Sequence, residues 1–323
     1  MNTDLYDLYA EYDEFDNGRS AHRRACPQQT QTKISNPIEK IEQEPLSMDD
    51  SSDAWIPTYA QNLDPLHHER RWVINAVAHF YQENIITDVT RRVKGGKEAN
   101  VYACVANPAS GLEWIAAKLY RERMLRSLKN DAVYKVGRTI RDREGKQVRN
   151  SRERRAIINK SGYGQKVDFL MWVGTEFRTQ TLLYEAGADV PKPVAQHGHS
   201  ILMEFIGDEY GAAPALNEIS LARDEAEPLF QRVMENVRIM LDHHLIHGDL
   251  SAYNILYWQG DIWLIDFPQA VAAQSNPHAF EILERDITRV CEYFARFGVA
   301  TDPVQIALDL WRPYVRWQEL NKK

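Results

Sequence analysis

The chain has 323 residues, 44% hydrophobic and 26% charged, with a formal net charge of −7 at pH 7. These are ordinary proportions for a globular protein, with room for a two-lobed domain and a tail. The acidity is local: residues 1–55 hold 12 acidic and 5 basic side chains and the remainder is balanced, so the folded part carries no bias toward nucleic acid. Cys26, Cys104 and Cys291 are too scattered for a disulfide framework or a zinc site, and suggest reduced thiols in a cytoplasm. No apolar run reaches membrane-spanning length, and the acidic start does not read as a signal peptide.

Residues 1–55 are polar and lack a sustained period, and they are expected to be a disordered acidic tail. Its aromatic start (Tyr6, Tyr9, Tyr12, Phe15) also suits a segment that folds on a partner. The segment 56–85 is expected to be a helix packed on the main domain. Asp64-Pro65 would start it, and Trp72, Val73, Ala76, Val77, Phe80 and Tyr81 share one face. Residues 88–93, 99–104 and 114–119 read as three successive antiparallel strands. Gly95 and Gly96 lie between the first two, where glycine lets backbone N–H groups approach a phosphate. Lys118 closes the third strand, the context of a lysine that contacts nucleotide phosphates.

Residues 119–166 carry 15 basic and 5 acidic side chains, including Arg152, Arg154 and Arg155, and a turn is expected at Ser161-Gly162-Tyr163-Gly164. The stretch reads as a solvated loop or as an electrostatic clamp for an acidic partner or RNA backbone. A helix with Phe169, Leu170, Trp172, Val173, Phe177, Leu182 and Leu183 on its apolar face then runs to Gly187. Two strands follow Pro191-Lys192-Pro193, and a helix around residues 228–243 leads to the most informative stretch, Leu245 to Val271.

In that stretch Asp249 and Asn254 sit five apart on a loop. The runs 255–258 and 262–265, separated by Gln259-Gly260-Asp261, form a hairpin that returns Asp266 beside the loop. Phosphoryl transfer needs this set: one carboxylate to orient or deprotonate an acceptor hydroxyl, and an amide oxygen and a second carboxylate to hold Mg²⁺ on the phosphates. Asp249 is the candidate base, and Asn254 and Asp266 are the candidate metal ligands.

The residues His247-Gly248-Asp249-Leu250-Ser251-Ala252-Tyr253-Asn254, Ile265-Asp266-Phe267-Pro268-Gln269-Ala270-Val271 and Gly96-Lys97-Glu98-Ala99-Asn100-Val101-Tyr102 resemble the RIO family of atypical protein kinases. The resemblance covers roughly residues 60–300. It implies an α+β, bilobal protein-kinase-like fold with an antiparallel N-lobe sheet and a reduced helical C-lobe. The expected kinase domain is 86–323, with an N-lobe 86–204, a flexible basic loop 121–166 and a C-lobe 208–323. It also implies a nucleotide site of Gly95, Gly96, Lys97, Glu98, Val101, Lys118, Met203, Glu204 and Ile206, with backbone groups at Glu204 and Ile206 reaching the adenine. Asp208 would face the ribose or nothing.

In the same resemblance Glu176 pairs with Lys118, with Glu185 as the other choice, while His247 is structural and Asp286 anchors the loop. The stretch after Asp266 would form helices at about 278–297 and 303–320, too short for a peptide-docking platform. The implied activity is ATP- and Mg²⁺-dependent (Mn²⁺ as a substitute) phosphorylation of protein serine or threonine, including autophosphorylation. Other readings are an ATPase switch in ribosomal small-subunit assembly with Asp266 as phosphoryl acceptor, a small-molecule phosphotransferase, and a non-catalytic nucleotide-binding scaffold. The partners implied are ATP, a protein substrate, and a ribosome-assembly or RNA partner at loop 121–166, in the cytoplasm and away from membranes.

Overall fold

A computed structural model describes residues 55–64, 66–121 and 162–321, with side chains described from 166 to 315 in the last stretch. The acidic tail, most of the basic loop and Pro65 lie outside the described residues. The unit Pro57–Lys323 is the one considered below.

Strands β1 (Ile86–Gly95), β2 (Ala99–Ala106), β3 (Trp114–Tyr120), β4 (Pro193–His197) and β5 (Ser200–Glu204) form one sheet in the order β1-β2-β3-β5-β4. Every neighbouring pair is antiparallel. β2 and β3 are central and largely buried, as their runs of Val, Ala, Tyr, Ile and Leu require. β1 is an edge strand, and its three register shifts and the side chains of Arg91, Arg92 and Lys94 discourage pairing with another chain.

Helix α1 (His68–Gln82) packs on β1 and β3 through Val73, Ile74, Ala76, Val77 and Phe80, all buried. Each large apolar side chain buried this way contributes about 1.5–3 kcal/mol. Asn84, in the left-handed region at φ 55, ends the helix, with Asn84 N–H bonded to Tyr81 C=O and Ile85 N–H to Phe80 C=O. The helix begins later than Asp64-Pro65. Asp64 instead accepts the N–H of Leu66 on its carboxylate and that of His67 on its carbonyl, which makes a turn. His67 is the N-cap, its Nδ1 accepting the Glu69 N–H.

Helix α2 (Gly162–Glu185) packs on the sheet, with Phe169, Trp172 and Val173 against Tyr120 and Ile201. The chain is already helical at Gly162, where a turn was expected. Gly187, at φ 82, closes the helix as Ala188 N–H bonds Leu183 C=O.

The second lobe is mainly helical. α3 (Arg223–Asp242), α4 (Ala279–Ala295) and α5 (Pro303–Asn321) pack with the short pairs β6 (Leu245–Ile246)–β9 (Val271–Ala272) and β7 (Ile255–Trp258)–β8 (Asp261–Leu264) around one core. α3 starts five residues before Pro228, because the Glu225 carboxylate accepts the Ala222 N–H at its entry and the proline costs only one bond in the second turn. Asp302 caps α5, its Oδ1 accepting the N–H groups of Val304 and Gln305. The architecture is the bilobal α+β kinase-like one. Among the described residues no helix is long and apolar enough to cross a membrane.

Candidate active site

The loop after β6 is fixed from several sides. His247 is buried, its Nδ1 accepting the Asp249 N–H at 3.3 Å and its Nε2 facing Ile265 C=O at 3.1 Å, an arrangement that needs the ring proton on Nε2. Gly248 has φ 83, and a Cβ there would sit 2.2 Å from the Gln269 carbonyl oxygen, so only glycine fits without displacement. Its N–H donates to Asp286 Oδ2 at 2.8 Å, and its C=O accepts from the Arg285 guanidinium. Burial raises the Asp286 carboxyl, with Arg285 pulling the other way. Leu250 and Ala252 are buried and pin the loop to the core, leaving Tyr253 exposed.

Asn254 ties the loop to the hairpin. Its C=O accepts the Ile265 N–H at 3.0 Å, and its Nδ2 donates to Asp249 C=O at 2.9 Å and lies 3.4 Å from Asp249 Oδ2. Gln259 (φ 52) and Gly260 (φ 90) make the two-residue turn of type I′ that suits the twist of a hairpin. Asp261 belongs to β8, opposite Trp258, so the turn is one residue shorter than the sequence suggested. Asp266 follows, in the left-handed region at φ 75.

Lys118 lies in the middle of the sheet, between Val101 on β2 and Ile201 on β5. Its Nζ is 2.6 Å from Glu176 Oε1 on α2 and 2.5 Å from Asp266 Oδ1. One ammonium thus joins the sheet, the long helix and the second lobe. Glu185 is exposed and does not take part. Glu176 is 1% exposed, and burial pushes its carboxyl up to about 7 against the pull of Lys118. Burial also opposes the charge on Lys118, but Asp266 and Glu176 outweigh it and raise the ammonium above its ordinary value. For Asp266 burial acts upward, and Lys118 more than offsets it, holding this carboxyl below its usual range.

Oxygen donors suited to a hard cation are present. Among the described residues no hydrogen bond uses Asn254 Oδ1, because the amide donates through Nδ2, and only one oxygen of Asp266 is bonded to Lys118. The residues present therefore fit a magnesium ion.

Gly96, Lys97 and Glu98 connect β1 to β2, while Gly95, expected between the strands, is the last residue of β1 and pairs with Asn100. Gly96 N–H bonds Ala99 C=O, and a Cβ on Gly96 would meet that oxygen at 2.8 Å. Behind this turn Asn100 is fully buried, bonded to Tyr102 and Arg121, and Glu69 of α1 accepts from Tyr102 at 2.7 Å. On the sheet face, Val101, Met203, Ala116 and Phe205 form one apolar cluster, joined by Val93 and Ala212. At the lobe junction Glu204 is committed to Lys192, its N–H to the C=O and its carboxylate to the N–H, while Ile206 C=O accepts from Ala213. Asp208 uses its carboxylate on its own turn, accepting from Tyr210 and Gly211 N–H groups.

One contact of the site has no counterpart in the sequence reading. Arg289 Nη1 on α4 donates to Asp249 Oδ1 at 2.9 Å. A groove of about 550 Å³ opens there, lined by Asp249, Ser251, Tyr253, Arg289, Tyr293 and Arg296 among others.

The family model described as RIO domain matches residues 100–306, more than half of the chain. Serine/threonine-protein kinase RIO1 of Caenorhabditis elegans is 31% identical over 219 residues, 68% of this chain and 39% of that protein. The human protein of the same name is 32% identical over 222 residues, 68% of this chain and 36% of its own. The matched region thus spans about two fifths of these curated relatives. Among solved structures, the Rio2 kinase-ADP/Mg²⁺-phosphoaspartate complex from Chaetomium thermophilum superposes with a TM-score of 0.52 at 23% identity, covering 75% of this chain and 66% of that one. That likeness shows the fold, and the family-model match shows the lineage: this chain belongs to the RIO domain family.

Proposed function

We propose that this chain catalyses ATP- and Mg²⁺-dependent phosphoryl transfer to serine or threonine of a protein. The observation that carries the reading is the Lys118 ammonium held between Glu176 and Asp266 at 2.6 and 2.5 Å, next to a loop-and-hairpin unit that joins Asp249 and Asn254 to Asp266. The names of the curated RIO1 relatives and of the ADP/Mg²⁺-bound Rio2 kinase support it. The glycine turn at 95–98 cradles the phosphates, Val101 and Met203 face the base, and Lys118 contacts the phosphate oxygens with Glu176 fixing its position. The Glu204 C=O and the Ile206 N–H, which the bonds to Lys192 and Ala213 do not use, would meet the adenine edge. Asn254 Oδ1 and Asp266 would hold Mg²⁺, which would neutralise negative charge developing on the phosphate oxygens. As the acceptor oxygen bonds to the γ-phosphorus, the bond from that phosphorus to the β–γ bridging oxygen breaks and ADP leaves. The hydroxyl proton passes to Asp249.

A second reading is an ATPase switch in which Asp266 accepts the phosphoryl group. It is favoured by the phosphoaspartate named in the Rio2 complex and by the partial exposure of the Asp266 side chain. A cytoplasmic setting fits the buried free thiols of Cys104 and Cys291. A ribosomal or RNA partner would meet the basic loop 121–166, and Mn²⁺ would substitute at the same oxygens.

The two activities separate in one assay with γ-labelled ATP, run on the unaltered chain and on Asp249→Ala. Acid-stable label on serine or threonine, reduced about 10³-fold or more in the variant, is expected for the kinase. Label that neutral hydroxylamine removes, as from an acyl phosphate, with release of free phosphate identifies the switch instead. Neither product, with nucleotide still bound, contradicts both.

A further inference from the structure

Helix α4 grips the Asp249 loop at three points. Arg285 and Asp286 hold the Gly248 C=O and N–H, which fixes the main chain. Arg289, three and four residues further along the same helix face, reaches the Asp249 side chain itself, with Nη1 2.9 Å from Oδ1. Among the described residues the other carboxylate oxygen, Oδ2, has only the 3.4 Å approach of Asn254 Nδ2, whose shorter bond goes to the Asp249 carbonyl. A carboxylate turns easily about χ2, and a long contact at one oxygen does not define its orientation. A guanidinium N–H bonded to an ionised oxygen does. The Arg289 and Asp249 side chains are 41% and 40% exposed and face the groove that Tyr253, Tyr293 and Arg296 also line, so an acceptor can reach Oδ2 with the pair intact.

Resting on the phosphotransfer reading, we propose that Arg289 is a positioning residue that holds Asp249 Oδ1 and so presents Oδ2 to the acceptor hydroxyl. The acceptor proton moves to Oδ2 while its oxygen bonds to the γ-phosphorus and ADP departs, and Arg289 keeps its bond to Oδ1 throughout. Arg289 acts through the Asp249 carboxylate and not on the nucleotide. Its effect therefore falls on turnover and not on nucleotide affinity.

The test uses the full chain, γ-labelled ATP with Mg²⁺, and autophosphorylation together with casein as a serine acceptor. Arg289→Ala is expected to lower kcat by about 10- to 100-fold, the scale set by loose orientation of a catalytic group. The KM for ATP stays within about twofold. Arg289→Lys, a point charge without the planar fork, falls between the two. Millimolar ethylguanidinium raises the kcat of Arg289→Ala and does nothing for Asp249→Ala. A merely structural arginine would move the thermal midpoint and the ATP KM along with kcat and would not be rescued. The inference is overturned by unaltered turnover in Arg289→Ala, by a kcat loss matched in KM or midpoint, or by a loss that ethylguanidinium leaves unrepaired. If the unaltered chain labels no hydroxyl, the phosphotransfer reading falls first and this inference with it.

Discussion

Alanine at Gly248 is expected to cost about 2–4 kcal/mol of stability and to remove most phosphoryl transfer. Two effects add at this position. The backbone sits at φ 83, where a Cβ is strained, and that Cβ would lie 2.2 Å from the Gln269 carbonyl oxygen. The loop cannot simply retreat, because Asp286 and Arg285 hold the N–H and C=O of the same residue. Gln269 lies three residues past Asp266, so relief of the overlap pushes Asp249 and Asp266 apart. Thermal melting should show a midpoint lowered by roughly 5–15 °C. Gly260→Ala is the internal control: its φ of 90 is equally unfavourable, but among the described residues a Cβ there meets nothing within 4 Å. Only the conformational cost of about 1–2 kcal/mol applies, and turnover should persist. Equal melting shifts for the two variants would show that the close approach at Gln269 is not what makes glycine necessary.

The second large effect is expected from Asp266→Asn. Asparagine tolerates the left-handed backbone at this position, so the substitution removes the charge and little else. Lys118 keeps its bond to Glu176, and the nucleotide pocket stays formed. What disappears is one anionic oxygen for Mg²⁺. Turnover should fall by about 10³-fold or more, equivalent to the several kcal/mol that a metal contributes to charge stabilisation. ATP affinity measured by calorimetry should lose its dependence on Mg²⁺. Glu176 is raised in part by the Asp266 charge, so its carboxyl should shift down in this variant. A variant that retains Mg²⁺-dependent affinity would place the metal elsewhere.

The parts of this molecule that were legible in the sequence are those with a local cause. Short apolar runs on either side of Gln259-Gly260 announce a hairpin, because two residues with positive φ are what a tight turn needs. Gly187 and Asp302-Pro303 mark helix ends through the conformations that they favour. The start of α1 was misplaced because an aspartate followed by proline serves a turn as readily as a helix N-terminus. Here Asp64 spends its acceptors on Leu66 and His67, leaving the cap to His67. At Gly162 a long helical continuation, to Glu185, outweighs the glycine penalty of about 1 kcal/mol per residue.

The unseen parts join distant segments. Arg285, Asp286 and Arg289 stand at helical spacing on one face, a visible pattern, yet nothing local says that Gly248 and Asp249, about 40 residues earlier, lie opposite. Glu69, Tyr102 and Asn100 likewise meet under the glycine turn only after α1 has docked on the sheet. Polar pairs of this kind carry no periodicity of their own and follow from tertiary packing.

The central claim, that one site formed by Lys118, Glu176, Asp249, Asn254 and Asp266 takes a magnesium nucleotide, is most directly tested by a crystal structure with Mg²⁺ and a non-hydrolysable ATP analogue. The expected result has Mg²⁺ on Asn254 Oδ1 and the Asp266 carboxylate, Lys118 on phosphate oxygens with its Glu176 bond retained, and the γ-phosphate facing Asp249. Nucleotide bound elsewhere, or phosphates held without Asp266 and Asn254, would contradict the account.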